Sequence, residues 1–458
     1  MNSGNIVITN MEMLHVTKCE YEKRINHHGF AVIEGYLKAE DYEACKEKGS
    51  SGEWFAVEEK QGEKSEMVFS GLVQSLTISQ EDIYRVKLIL QGETVKMDMT
   101  ENTRIFQDSS NTLETITSKI IGKYGAGCLI SSDFEQPIPH MVVQYEETDW
   151  EFLKRMASEL GGYLIPYYKT SGCRSMIGIE ERTGVDFSDS NYMVRNIYFE
   201  YEKKNKNGVS VNTDDQIEYI VNTREVLQLG DAASINGKAL YVYGAEGKWE
   251  GEELIHSYTL RSKKGFLQQK VKNESLIGAT FQATVEGVEN DRIEVSFDSI
   301  EAYGSRKYAY ATVYSTKTGA GWYSMPEKED AVRIIFPTEE PEEAYASSAV
   351  HLSMGSADAN TKFIKNPYNK EIRFSEHELR ITNNTGMDII LDDEKGLILN
   401  SNKNITISAA KELNLSSEAE KITVQGQQGV ELLQGESKIE VNNEVKLIAE
   451  QVHVQNVE

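Results

Sequence analysis

Long apolar runs are missing from this sequence, and proline is scarce. The first residues, MNSGNIVITNMEML, have neither the basic start nor the apolar core of a secretory signal. No later stretch approaches the roughly 18 apolar residues of a membrane-spanning helix. We therefore expect synthesis in the cytoplasm without a signal peptide. With 7 prolines in 458 residues and no low-complexity tract, we also expect a chain that is folded almost throughout.

Cysteines are few and isolated. Cys19, Cys45, Cys128 and Cys173 lie singly, and no pair has the C-x-x-C spacing of a zinc site or a redox motif. We expect reduced, partly buried thiols.

Basic residues are in deficit. The chain has 48 Lys and Arg against 73 Asp and Glu, a net charge of -25. Such a surface repels phosphates and anionic lipid headgroups, which argues against nucleic acid as a partner.

The length predicts several domains, and the first 275 residues have an alternating pattern. Short strand-like runs fill residues 5–99 and resume near Val194, and each group is typical of a β-barrel. Between them, apolar periodicity predicts helices at about 111–124 and 149–160. The expected fold of residues 1–275 is therefore two barrels with helical insertions.

Two sequence signals mark the helix starts. Asn111 is positioned to cap the first helix, with Glu114 three residues on. Thr148 and Glu151 form a capping-box pattern at the start of the second.

Strand-like runs in residues 276–350 are spaced as in a small OB-fold barrel, and residues 351–371 are predicted to be a linker. Residues 372–458 contain apolar pairs in strict alternation, whose first members lie 8, 8, 9, 8 and 9 residues apart. The pairs are Leu397 and Leu399, Ile405 and Ile407, Leu413 and Leu415, Ile422 and Val424, Val430 and Leu432, and Ile439 and Val441.

Alternation marks strands with one buried face, and a fixed short period marks a β-helical stack. Two windings fit: a single-chain solenoid, or three chains wrapped round one axis. No capping sequence is evident at the ends of the repeat, which favours the triple-stranded β-helix. The twelve residues of the pairs are then the predicted trimer core. Acidic residues outnumber basic ones by 16 to 8 over residues 371–458, which would keep an exposed needle soluble.

Three segments, together with the repeat, resemble one family. RIFQDS at 104–109 resembles the segment before the first hub helix of VgrG-type spike proteins of contractile injection systems, and VQYEETDWEFLKR at 143–155 resembles the family's strand-to-helix signature. GWYSMPE and DAVRIIFP, within 321–337, with EEAY at 342–345, are similar to its OB-domain signature. The order of hub, OB barrel and needle is also the family's order.

The resemblance implies a homotrimeric structural spike. Its paired barrels would form a ring of six similar units on a hexameric inner tube, beside baseplate proteins, with effector cargo as a possible addition. The spike would penetrate a membrane without residing in it, and would be delivered outside the cell or into a target. Some relatives carry a lysozyme insert or an effector domain, and we expect neither here.

The tip of the needle is expected to be blunt. His453 is followed by Val454 and Gln455, so the His-x-His metal tip of some phage needles does not fit. We expect a PAAR-like tip protein to cover a small apolar platform formed by Val452 and Val454.

The sequence lacks the common catalytic motifs. The sequence has no G-x-S-x-G, no H-E-x-x-H and no phosphate loop, and KTGAG at 317–321 is expected to be a turn. The adjacent His27 and His28 are expected to lie in a solvated turn. The acidic pair Glu146 and Glu147 is expected to be surface charge. No catalytic, cofactor-binding or metal-binding residues are predicted, and no cofactor.

Two functions are consistent with these patterns. The first is a structural spike of an injection machine. The second is a peptidoglycan-hydrolysing enzyme or an adhesin displayed on a β-solenoid stalk. The sequence does not separate phage, tailocin, type VI and extracellular injector machines.

Overall fold

The computed structural model describes residues 5–50, 52–61, 63–125, 127–181, 184–250, 253–351 and 358–454. The chain forms two compact units, Met1–Leu352 and Ser353–Glu458. The boundary falls at 352–357, so this part of the predicted linker lies outside the described residues. None of the helices in the described ranges is long and apolar enough to cross a membrane.

The first unit is mostly β, as the sequence predicts. Its strands are β1 (Asn5–Ile8), β2 (His15–Arg24), β3 (Phe30–Leu37), β4 (Trp54–Gln61), β5 (Lys64–Gln80), β6 (Tyr84–Gln91), β7 (Glu101–Phe106), β8 (Cys128–Ile130), β9 (Val142–Thr148), β10 (Leu164–Pro166), β11 (Ser175–Ile177), β12 (Val185–Asp186), β13 (Tyr192–Asn196), β14 (Ile217–Thr223), β15 (Ala232–Ile235), β16 (Lys238–Glu250), β17 (Glu253–Arg261), β18 (Thr280–Glu289), β19 (Arg292–Phe297), β20 (Glu301–Tyr303), β21 (Lys307–Ala311), β22 (Tyr314–Ser315), β23 (Gly321–Trp322), β24 (Ala331–Ile335) and β25 (Tyr345–Ser347). Its helices are α1 (Tyr42–Ser50), α2 (Leu113–Ile121), α3 (Asp149–Glu159) and α4 (Tyr198–Lys206).

Twelve strands of this unit form one sheet. Its path runs β1-β4-β5-β6-β3-β2-β16-β17-β14-β13, and β12 and β15 join beside β16. The strands before the helices and those after them meet where residues 20–24 of β2 pair antiparallel with residues 244–248 of β16. The two predicted barrel regions therefore share a continuous sheet and a single hydrophobic core.

Alternation of side chains explains how these strands bury one face. In β6, Val86, Leu88 and Leu90 are buried, while the residues between them face outward. A strand directs successive side chains to opposite faces, so this spacing fixes which face meets the core.

Helices α2 and α3 lie where apolar periodicity places them, but one cap differs. Thr112, not Asn111, caps α2: its side chain accepts a hydrogen bond from the Thr115 amide, and the Thr115 hydroxyl accepts from the Thr112 amide. Asn111 instead donates to the carbonyl of Asp108. The capping box of Thr148 and Glu151 at α3 is confirmed.

Residues 280–347 contain the predicted OB-like barrel. Strands β18-β19-β21-β25-β24 close on one another in the spatial order first, second, third, fifth and fourth. The interior contains Val285, Ile293 and Ile334. Residues 317–319 form the turn of the β22–β23 hairpin, as expected for KTGAG.

The second unit consists of two antiparallel meanders and a stretch between them. The strands are β26 (Lys362–Lys365), β27 (Glu371–Phe374), β28 (Glu378–Thr382), β29 (Met387–Asp392), β30 (Gly396–Ser401), β31 (Val430–Gln434), β32 (Ser437–Val441) and β33 (Val445–Ile448). Strands β26 to β30 form one sheet in chain order, and β31 to β33 form another. No strand or helix occurs in residues 402–429, all of which the structure describes.

Candidate assembly surfaces

The sheet β26–β30 has one apolar face. Ile372 pairs with Ile381, Ile381 with Ile389, and Ile389 with Leu399. Paired residues of antiparallel strands lie on the same face of a sheet, so these residues and their alternate neighbours form one surface. That face comprises Ile364, Ile372, Phe374, Leu379, Ile381, Met387, Ile389, Leu391, Leu397 and Leu399.

This apolar face is largely uncovered in the single chain. Ile381, Ile389 and Leu397 are 45%, 46% and 63% exposed. The opposite face carries ion pairs, including Arg373 with Glu371 at 2.6 Å. A contiguous exposed apolar surface made of ten side chains marks an interaction site.

The stretch 402–429 repeats every eight or nine residues in its backbone as well as in its sequence. Bends at 402–403, 410–411, 418–420 and 427–428 separate three six-residue segments, 404–409, 412–417 and 421–426. Each segment contains one alternating apolar pair.

None of the described backbone groups of residues 405–426 takes part in a backbone–backbone hydrogen bond within the chain. Ile407 and Leu415 are 61% and 69% exposed. The Glu420 amide donates to the Ser417 hydroxyl, but the backbone groups of this stretch do not pair with other backbone groups, and its apolar pairs are exposed.

The sheet β31–β33 repeats the one-faced arrangement on a smaller scale. Val430 pairs with Val441, Leu432 with Ile439, and Ile439 with Leu447. An open groove beside this sheet is lined by Leu432, Ile439, Leu447, Ile448 and Val452, among others. Val452 and Val454, the predicted tip platform, are 53% and 86% exposed. Residues 455–458, the end of the predicted needle, lie outside the described residues.

The predicted trimer-core residues all belong to these surfaces. Four lie on strands β31 and β32, two on β30, and six in the three segments of 404–426. Sequence reasoning missed Ile372, Ile381 and Ile389 on the face of the first sheet. The same alternation was available there, but its spacing is less regular because hairpin turns of different length separate those strands.

The family-like segments at 104–109 and 143–155 meet in a buried polar cluster. Asp149, the first residue of α3, is fully buried. Its carboxylate accepts from Arg104 Nη1 at 2.6 Å and from Gln144 Nε2 at 3.0 Å. Tyr124 donates at 2.8 Å, and Lys123 Nζ lies at 2.7 Å.

Burial opposes ionisation of Asp149, but the donors outweigh it, so the pKa of this carboxyl lies below its ordinary value. Arg104 also pairs with Glu301 of β20 at 2.9 Å, and β20 lies parallel to β7. The cluster therefore ties α3 and β7 to the strand β20, which lies between β19 and β21 of the OB barrel in the chain.

A second contact joins these regions nearby. Gln107 donates to the Gly304 carbonyl at 2.9 Å and accepts from the buried Tyr308 hydroxyl at 2.8 Å. The family-like residues thus have structural roles at the junction between the helices and the OB barrel.

Two surface assignments from the sequence are each wrong for one residue of a pair, since His27 and Glu146 are exposed as expected. His28 is not in a solvated turn: its ring contacts Trp150 at 4.5 Å and its nitrogens bond Thr94 and Asp98. Burial lowers the pKa of His28 despite Asp98. Glu147 is not a surface charge, because it pairs in a buried position with Arg155 at 2.7 Å. Thr94 and Asp98 lie on a 3-10 helix, Glu93–Asp98, and Trp150 and Arg155 lie on α3, which the adjacency of paired residues does not reveal.

The described residues contain no group of three or more His, Cys, Asp or Glu placed to hold a metal ion. All four cysteines are free, and Cys19, Cys45 and Cys173 are buried.

Comparison with known proteins agrees with this architecture. Residues 52–170 match the family model of the phage tail baseplate hub (GPD). A chain from the lidless PdpA–VgrG complex superposes with a TM-score of 0.54, covering 86% of this chain and 98% of that one at 10% identity. The fold is that of a VgrG-type spike.

A second solved structure supports the VgrG-type fold. The E. coli c3393 protein, described as a type VI secretion component similar to the T4 bacteriophage tail proteins gp27 and gp5, matches with a TM-score of 0.51. The match covers 75% of this chain and 99% of that one at 14% identity. No curated protein matches the chain in sequence. At such low identity the likeness concerns the fold.

Proposed function

We propose that this protein is the homotrimeric hub and spike of a contractile injection machine, and that it pierces a target envelope mechanically. The observation that carries the proposal is the stretch 404–426, which has a regular repeat, exposed alternating apolar pairs and no backbone pairing within the chain. Three such chains wound round one axis would pair every backbone group and bury every pair.

The repeat favours identical partners. Segments from different chains pair along their whole length only if they share the same spacing, and copies of this chain supply that spacing by symmetry. Burying one Leu or Ile side chain contributes about 1.5–3 kcal/mol. Three copies of six apolar residues in this stretch would contribute at most about 27–54 kcal/mol. The opposing cost is roughly 4–15 kcal/mol for each of the two added chains.

The two flanking meanders fit the same assembly. Each has one apolar and one more polar face, so three copies can turn their apolar faces toward a common axis and their more polar faces away from it. A closed arrangement of this kind leaves no long free edge to peel under load. We propose that stiffness is the property selected in residues 372–458.

The proposed spike has a binding partner at each end. We propose that the hub is seated on a hexameric inner tube within a baseplate, and that a PAAR-like tip protein covers Val452 and Val454. Effector cargo remains possible. The spike breaks no bond and needs no cofactor.

The first test is the mass of the full chain by light scattering, together with electron micrographs. The expected particle is a trimer with a thin projection. A monomer with peptidoglycan hydrolase activity would support the displayed-enzyme alternative instead.

The tip is tested separately by pull-down with the tip protein encoded nearby. Val452→Asp with Val454→Asp should abolish capture while the trimer mass stays unchanged. Unchanged capture by the double variant would show that the platform lies elsewhere.

A further inference from the structure

The path of the 12-stranded sheet has two free ends. It begins at β1 and finishes at β13, and in the described parts of the chain no further strand pairs with the outer edge of either. An outer edge presents unpaired N–H and C=O groups and is a template for another strand.

Natural sheets usually protect such edges, but β13 carries little protection. Its sequence, YMVRN, contains no proline or lysine, and it pairs with β14 without a bulge. The one charge, Arg195, is held by Glu218. All five residues are exposed, with Met193 at 63% and Val194 at 53%.

The exposed apolar surface continues past the strand. Tyr198 and Phe199, at the start of α4, are 55% and 87% exposed. A charged chain that leaves aromatic residues and an unprotected edge together has a surface suited to a partner.

The opposite end of the sheet is equally unprotected. Strand β1 reads NIVI and has neither charge nor proline. Ile6 and Ile8 are buried against the core, so the strand is firmly packed, and β4 is its one strand partner among the described residues. Because these two side chains are packed in the core, the backbone of β1 is held in a fixed position in which another strand could pair with it.

The chain already contains a joint of the required type. The strands before the helices and those after them meet edge to edge through five antiparallel residue pairs between β2 and β16. That joint brings together two different edges. Strands β13 and β1 end the main path of the sheet, while the two-residue strand β12 ends a side branch. Strand β13 has five residues and β1 has four, so the lengths match.

We propose that β13 of one copy pairs with β1 of the next, so that three copies close their sheets into one continuous ring. The contact is heterologous, with two different surfaces meeting, and such contacts close when the rotation fits a small number of copies. This inference rests on the proposed homotrimer and adds the contact that seals its hub.

The test uses site-specific cross-linking between differently tagged copies. Cys128→Ser removes the one native thiol that is not buried. In this background, Val7→Cys on one tagged copy and Val194→Cys on another are co-expressed and treated with a short bismaleimide. The expected product on a denaturing gel is a covalent dimer that carries both tags.

Matched controls separate this contact from chance collision. Val313→Cys, at a position 94% exposed on the loop between β21 and the β22–β23 hairpin, replaces Val194→Cys and should give no dimer with Val7→Cys. Each single variant expressed alone should also stay monomeric on the gel. Dimers from Val194→Cys alone would indicate an isologous contact and overturn the inference.

Failure of this inference and failure of the spike proposal give different results. A sample that light scattering shows to be trimeric, but that forms no mixed dimer, overturns the ring contact and leaves the trimer standing. A monomeric sample without cross-links overturns both.

Discussion

Lys23 is the most unusual residue of the first unit. Its ammonium group is fully buried, donates to the Val68 carbonyl at 2.7 Å and to Gln228 at 3.3 Å, and lies 4.7 Å from the Tyr21 ring centre. Burial, helped by the positive charge of Lys169, lowers the pKa of Lys23 to about 7. The side chain lies on β2, the strand that joins the two halves of the sheet.

Lys23 should make stability depend on pH in a defined window. The folded pKa lies below the unfolded one, so between pH 7 and roughly 10 the unfolded chain binds more protons and stability rises with pH. Replacing Lys23 with Met removes this term. The melting temperature of the native protein, minus that of Lys23→Met, should therefore increase as pH rises from 7 to 10.

Differential scanning fluorimetry across this window measures the effect. Lys18→Met serves as the control, because Lys18 lies on the same strand with its side chain 41% exposed. A difference between native and Lys23→Met that does not change with pH would contradict the buried-charge explanation.

Asp149 should be the most sensitive acidic residue of the junction with the OB barrel. Asp149→Asn leaves Arg104 and Lys123 near a neutral amide, and removing one partner of a buried pair costs about 3–5 kcal/mol. Because the pKa of Asp149 is depressed, this contribution is present at neutral pH and is lost as pH falls below the ordinary carboxyl range.

Denaturant unfolding of the variant at pH 7 checks this value. Asp133→Asn is the matched control, since the Asp133 carboxylate pairs with Lys263 but is 51% exposed, and exposed pairs contribute about 0–1 kcal/mol. Equal effects of the two variants would show that the cluster is not cooperative.

At the scale of elements, the three segments of 404–426 make a direct prediction. Truncating a buried Ile or Leu to Ala costs about 2–5 kcal/mol. Ile407→Asp should destabilise the assembly by at least this amount per chain. Three carboxylates near one axis would add repulsion and desolvation. Thermal unfolding of the full chain measures the loss.

Thr406→Asp is the companion variant. Thr406 precedes Ile407 in the same segment and, by strand alternation, directs its side chain to the other face. It should unfold at nearly the native temperature. If Ile407→Asp behaves like Thr406→Asp, the inward assignment of the apolar pairs is wrong.

These elements also show what a sequence can and cannot predict. Periodicity located α2, α3 and the OB-like barrel, because each encodes its own buried face. It did not reveal that β2 and β16 join two strand groups into one sheet, since that contact lies between residues more than two hundred positions apart. The partners of His28 lie at Thr94, Asp98 and Trp150, far along the chain. Glu147 pairs with Arg155 only eight residues on, but that pairing depends on how β9 and α3 are oriented.

The alternating pairs of 372–458 remain a prediction as a trimer core. Their spacing is legible in the sequence because every segment repeats the same local rule. The partners that would bury them belong to other chains, so neither the sequence nor a single chain displays those contacts.

At the scale of the whole molecule, the second unit should be the principal element of trimerisation. Strand β27 begins at Glu371 and pairs with β26, so a cut at residue 372 would break a sheet. Removing residues 358–458 avoids this. We expect the truncated chain to dissociate at concentrations at least tenfold higher than the full chain. Because a trimer's dissociation constant scales with the square of concentration, this is a loss of at least about 2.8 kcal/mol per trimer.

Light scattering over a dilution series measures that shift. A truncated chain that remains as tight a trimer as the full one would show that the hub alone suffices. The truncated protein also isolates any contribution of the hub contacts.

The bends of 402–429 determine which insertions and deletions this stretch can tolerate during evolution. Each segment must turn the same two side chains inward, and an extra residue would reverse the faces of everything that follows until the next bend. Insertions and deletions of single residues should therefore be purged from this stretch, whereas whole segments of eight or nine residues can be duplicated or lost without harm. If this stretch forms the proposed needle, its length can change only in steps of one whole segment.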